Sequence, residues 1–112
     1  MSVTQNIKKV RMDFENRRID VNRLKRLYQE YNPIDNIQLF ISSAKKMFPH
    51  LNCGLASVYL KSLFPNSKII NGKFNGHNHT FLKINDVIID ITSDQYDGPK
   101  VYVGELKQPW SF

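Results

Sequence analysis

One cysteine, three histidines and an aspartate set inside an aliphatic run are the residues of this 112-residue chain that could do chemistry. In chain order the three that fit together are Cys53, His79 and Asp90. Thiol acyl transfer needs these three roles. A thiolate attacks a carbonyl carbon, an imidazole holds and transfers the proton, and a carboxylate orients the imidazole and stabilises its charged form.

The elements around them place the three side chains. The stretch His79-Thr80-Phe81-Leu82-Lys83-Ile84-Asn85-Asp86-Val87-Ile88-Ile89-Asp90-Ile91-Thr92 reads as two strands joined by a tight Asn85-Asp86 turn. Alternation puts His79, Phe81, Lys83, Ile88, Asp90 and Thr92 on one face of that hairpin. Thr80, Leu82, Ile84, Val87, Ile89 and Ile91 form the other, which is expected to pack on the core. Asp90 interrupts the run where folding alone would favour an aliphatic residue, and His79 supplies a reason for it. If Asp90 serves only His79, Asp90→Asn is expected to change stability by no more than about 1 kcal/mol.

Cys53 opens a mostly apolar stretch, Asn52 to Phe64, that reads as the most buried helix. Asn52 is the expected N-cap and Pro65 the stop. At the first helical position the unpaired N–H groups and the helix dipole favour an anion, so a thiol there becomes more acidic and more reactive. The Cys53 N–H is a candidate oxyanion donor. Gly54 is expected to leave room for a substrate backbone.

Three further helices precede this one. The first runs from about Thr4 to Arg17 with Ile7, Val10, Arg11 and Phe14 on one stripe. The second runs from Val21 to Tyr31, capped by Asp20 and ended by Pro33, with Val21, Leu24, Leu27, Tyr28 and Tyr31 buried. The third runs from Asn36 to Met47, capped by Asp35, with Ile37, Leu39, Phe40, Ala44, Met47 and Phe48 as its apolar set. Beyond Pro65 the pattern changes. Lys68-Ile69-Ile70 is a short strand that Lys73-Phe74 extends or follows, Asn75-Gly76 is a turn, Ser93 to Lys100 a loop and Val101-Tyr102-Val103 a last strand. Helices first and antiparallel strands afterwards imply one α+β domain over residues 1–112, helical to about 64 and β from about 67 to 104.

With these residues in place the chain resembles the papain-like superfamily of cysteine enzymes, and its transglutaminase-like branch most. The resemblance covers residues 52–96: a helix-borne cysteine, a strand reading His79-Thr80-Phe81-Leu82-Lys83-Ile84, a short turn and a strand with Asp90. It implies a nucleophile helix packed on a small antiparallel sheet, with Cys53 as nucleophile, His79 as base and Asp90 as orienting acid. It also implies a protein or peptide substrate and protease, deamidase or acyltransferase chemistry. Papain-like proteases carry a glutamine a few residues before the cysteine as second oxyanion donor. Met47, Phe48, Pro49, His50 and Leu51 stand there instead, which makes Gln95, Asn52 and His50 the candidate substitutes.

Each residue also has a structural reading: a core cysteine, a satisfied histidine, an aspartate capping a turn or paired with Lys83. His77 is the alternative base and Asp94 the alternative acid. Cys53, His77 and His79 could bind zinc, but no spacing matches a structural zinc site, so no metal and no cofactor are expected. No glycine-rich phosphate loop, nucleotide fingerprint or hydrolase serine elbow is present. The formal charge is +6, and half of the sixteen basic residues lie in the first 31 positions: Lys8, Lys9, Arg11, Arg17, Arg18, Arg23, Lys25 and Arg26. That cluster supports an alternative function, a basic module binding nucleic acid or an acidic protein, or an inactive enzyme-like adaptor. A lone cysteine, no signal-peptide core and no membrane-length apolar stretch point to a cytoplasmic protein without a membrane partner, leaderless secretion being the other route.

Overall fold

A computed structural model describes residues 2–112. Four helices, α1 (Val3–Glu15), α2 (Val21–Tyr31), α3 (Ile37–Met47) and α4 (Cys53–Leu63), precede five strands, β1 (Lys68–Phe74), β2 (His77–Ile84), β3 (Val87–Asp90), β4 (Tyr102–Glu105) and β5 (Trp110–Ser111). The architecture is α+β with one antiparallel sheet in the order β4-β3-β2-β1-β5.

Local chemistry sets the helix starts. Ser2 and Gln5 form a reciprocal capping box on α1, and Asp20 accepts from the N–H groups of Asn22 and Arg23 at the start of α2. For α3 the cap is Asn36, whose side chain accepts from Leu39 N–H, and not Asp35. The α3 apolar set also needs correction. Ile41 and Ala44 are buried, while Leu39 and Met47 are exposed. Ile37, Ile41, Ala44 and Phe48 follow the narrow i, i+4, i+7, i+11 stripe, and Leu39 and Met47 fall off it.

The register at the Asn85-Asp86 turn is Ile84 to Val87, Lys83 to Ile88 and Leu82 to Ile89. Asn85 takes the left-handed backbone that a tight hairpin turn requires. Lys68 to Phe74 is one continuous strand, paired with β2 through its length. Leu82, Ile89 and Ile91 pack with Leu55, Val58 and Leu60 of α4 and with the other helices in the main core. The face bearing His79 and Asp90 is covered too. Phe81 and Ile88 meet Phe74 and Trp110 there in a second, smaller core flanked by Tyr96 and Tyr102. Trp110 comes from the C-terminal tail, which lies beyond the expected limit of the sheet yet supplies the edge strand pairing Phe74 with Trp110. The segment expected as a plain loop after β3 contains a 3-10 turn, Ser93–Tyr96.

Arg11 is buried and belongs to the α1 stripe rather than to the basic surface of the first 31 residues. Its guanidinium donates to Asp94 at 2.7 and 2.8 Å, to the Ile91 carbonyl at 2.7 Å and to Glu15 at 2.7 Å. It also lies over the Phe48 ring. It ties α1 to the segment that follows the Asp90 strand. No described helix is long and apolar enough to cross a membrane.

Candidate active site

Cys53 is the first residue of α4 and half-buried. Asn52 stands at the N-cap, yet its side chain makes no cap hydrogen bond. Its Nδ2 donates instead to the carbonyls of Ala44 at 2.9 Å and His50 at 2.8 Å, across the turn before the helix. Both amide hydrogens are thus committed, which removes the Asn52 side chain as an oxyanion donor. The first-turn N–H groups of α4 receive no side-chain cap. Leu51, exposed and in the left-handed region at φ 68°, completes this turn.

His79 lies on β2 and Asp90 at the end of β3. His79 Nε2 donates to Asp90 Oδ2 at 2.6 Å, with side-chain exposures of 0% and 1%. Asp90 Oδ2 also accepts from Trp110 Nε1 at 2.9 Å, while Oδ1 accepts from the Thr92 N–H at 2.9 Å and the Thr92 hydroxyl at 3.4 Å. Every donor around the carboxylate points at an oxygen, so this buried group is held as an acceptor. Phe74 and Tyr96 meet the His79 ring edge-on and Phe81 lies tilted against it.

The Cys53 thiol is close enough to the His79 ring and to Thr80 for both to act on its titration. With Nε2 engaged by Asp90, Nδ1 is the ring nitrogen left for the thiol. Burial pushes the imidazole pKa down, but Asp90 and then Cys53 outweigh it and lift His79 to about 9. Burial likewise pushes the thiol up, and His79 and Thr80 more than offset it, leaving Cys53 below its ordinary value. Both directions favour a thiolate beside an imidazolium, two groups that titrate as a coupled pair.

Compared with family models, curated proteins and solved structures, this chain matches none. Its chemistry is therefore read from the site itself.

Gln95, in the 3-10 turn, brings Nε2 to 3.4 Å from His79 Nδ1. His50 is exposed, and its carbonyl is taken by Asn52. His77, the alternative base, is exposed and stacks on Tyr96 with ring centroids 4.5 Å apart, away from Asp90. Asp94, the alternative acid, is bound to Arg11 rather than to a histidine. No cluster of three metal-ligating side chains occurs among the described residues, so Cys53, His77 and His79 do not converge as zinc ligands. A Cβ on Gly54 would meet the Tyr28 ring at 3.3 Å, so the missing side chain accommodates α2 rather than a substrate.

Sequence reasoning missed the groups that hold Asp90 and those beside the thiol. Trp110 is the only tryptophan, in an apolar tail after Pro109, and that was its only signal. Thr92 lies on the face that alternation gives it, and nothing in its type marks it as a partner of Asp90. Thr80 lies on the core face, where its hydroxyl donates to Asn71 Oδ1 at 2.9 Å.

Proposed function

We propose that this chain is a thiol enzyme acting on an amide or related acyl bond through Cys53, His79 and Asp90, on a papain-like or transglutaminase-like arrangement of helix and sheet. One observation carries this reading: a buried His79–Asp90 hydrogen bond of 2.6 Å, with the only cysteine at a helix start close enough for thiol and imidazole to shift each other's titration. A structural cysteine needs neither that partner nor that position.

The thiolate of Cys53 attacks the carbonyl carbon and the oxygen gains the negative charge. The Cys53 N–H stabilises it as one oxyanion donor. When the tetrahedral intermediate collapses, the C–N bond breaks and the His79 imidazolium gives its proton to the leaving amine. A thioester on Cys53 remains. Neutral His79 then takes a proton from the incoming acceptor, which attacks the thioester carbon and restores the thiolate. Asp90 keeps the ring oriented and balances the imidazolium charge throughout.

Water as acceptor gives hydrolysis of a peptide or of a glutamine side chain, and an amine gives transfer. The first test is mass spectrometry after incubation with a peptidyl vinyl sulfone. One adduct on Cys53, lost in His79→Ala, is expected. Equal labelling of both proteins contradicts the reading. Ammonia release, new peptide ends or amine incorporation from a glutamine-containing protein then separates the three reactions.

A further inference from the structure

Three side chains from three elements meet at one oxygen. Tyr31 at the end of α2 donates its hydroxyl to Asn71 Oδ1 at 3.1 Å, and Thr80 on β2 donates to the same atom at 2.9 Å. Asn71 lies on β1 directly opposite Thr80. With Oδ1 taken by two hydroxyls, the orientation of the amide is set and its Nδ2 faces outward as a donor. Asn71 is exposed, so that donor is open to an incoming molecule. The Tyr31 ring meets the Tyr28 ring at 5.9 Å between centroids, and Tyr28 lies against Gly54, the residue after Cys53. Asn71 therefore sits on the side of the sheet that faces the start of α4, joined to it through Tyr31 and Tyr28.

Accepting the thiol-enzyme reading, we infer that Asn71 Nδ2 is the second oxyanion donor, acting with the Cys53 N–H on the carbonyl oxygen of the substrate. Asn52 has no hydrogen left to give. Gln95 sits on His79 Nδ1, the nitrogen that exchanges a proton with the thiol. Asn71 lies on β1 and bonds Thr80 and Tyr31 rather than the imidazole, which leaves the ring free to move its proton. The two hydroxyls hold the donor in place before charge develops, as an oxyanion site requires. Tyr31 is a positioning residue in this arrangement. It also lines a groove of about 440 Å³ between α2, α4 and β1, whose walls include Leu27, Val58 and Ile69.

The test compares two probes of one thiol in the full chain. p-Nitrophenyl acetate acylates Cys53 through an oxyanion, and iodoacetamide alkylates it without one. Asn71→Ala and Asn71→Leu are expected to slow the p-nitrophenolate burst about 100-fold, the lower end of the effect of losing one such donor. Iodoacetamide alkylation should stay within about twofold of wild type in both, because the thiolate itself is untouched. Tyr31→Phe should give a smaller loss of the burst, again with alkylation unchanged. Gln95→Ala should instead alter the pH profile of alkylation, because it touches His79. Wild-type burst rates in both Asn71 variants would overturn the assignment. So would a parallel fall in burst and alkylation, which would place Asn71 in support of the thiol or the fold. A wild-type protein that alkylates rapidly yet gives no burst would overturn the thiol-enzyme reading, and Asn71's role with it.

Discussion

Trp110 Nε1 donates to Asp90 Oδ2 at 2.9 Å, so a residue of the last strand holds the carboxylate that holds His79. The edge strand β5 is thereby coupled to the candidate site, and Trp110 closes the smaller core over the same face. Trp110→Phe keeps most of the ring and removes the donor. It should lower stability by about 1.5–3 kcal/mol, the cost of losing a hydrogen bond to a charged group. It should also slow Cys53 alkylation at neutral pH, because Asp90 is held less firmly. Urea unfolding beside an alkylation rate checks both, and a stability loss with unchanged alkylation would confine Trp110 to packing.

Asp90→Asn should be costlier than the sequence alone implies. The neighbouring donors of Asp90 comprise His79 and Trp110 at Oδ2 and Thr92 at Oδ1, so an amide NH₂ in either orientation faces an N–H. A loss of about 2–4 kcal/mol is expected, in place of 1 or less, since a buried polar group is left unmatched. Thermal or urea unfolding of the variant is the check, and a change below about 1 kcal/mol would mean the site relaxes around the amide.

Arg11→Met should be among the more damaging substitutions far from the thiol. It strands Asp94 and the Ile91 carbonyl, both of which Arg11 now satisfies at 2.7 Å. A loss of about 2–3 kcal/mol follows from removing charge-assisted hydrogen bonds to a partly buried carboxylate and a buried carbonyl. Because Asp94 sits beside Gln95, the 3-10 turn should loosen as well. Hydrogen exchange across residues 93–96 would detect this, and unchanged protection there would argue against the tie.

Much of the hairpin was legible because alternation and a two-residue turn leave one register, and that register carried His79 and Asp90 to one face. The burial of that face was not legible. Its cover comes from Trp110, whose two-residue strand is too short for any pattern and pairs with a strand nearly forty positions earlier. The helix starts were legible where a cap residue works as a cap, as at Asp20. At Asn52 the residue type was right for a cap and the side chain turned elsewhere, because two carbonyls of the preceding turn compete for it. The stripe on α1 was legible including Arg11, but Ile91 and Asp94, which it bonds, lie eighty or more residues away and no local signal marks them.

Stability should depend on pH in a way that separates the two members of the pair. His79 titrates at about 9 in the folded chain against an ordinary 6.5, so its stabilisation is complete below 6.5 and is lost as pH rises through 9. Cys53 shifts the other way: its stabilisation is present above the ordinary thiol value and is lost as pH falls through the lowered one. Where the folded pair is thiolate and imidazolium, it binds one proton, as do an unfolded thiol and neutral imidazole. Wild-type stability should thus change little through that range. Cys53→Ser removes the thiol, and its stability should fall above about pH 6.5 with a slope approaching 1.4 kcal/mol per pH unit. Urea unfolding at a series of pH values distinguishes the two curves, and parallel curves would show that Cys53 does not exchange protons with His79.

The most direct measurement of the central claim is the rate of iodoacetamide alkylation of Cys53 against pH, in wild type and His79→Gln. A paired thiolate should react at pH 6 to 7 at a substantial fraction of its rate at pH 9. The variant should lose that reactivity at low pH and rise with a single ordinary thiol titration near 8.5. If wild type and variant instead trace the same ordinary thiol curve, Cys53 and His79 do not form a reactive pair, and the thiol-enzyme account fails.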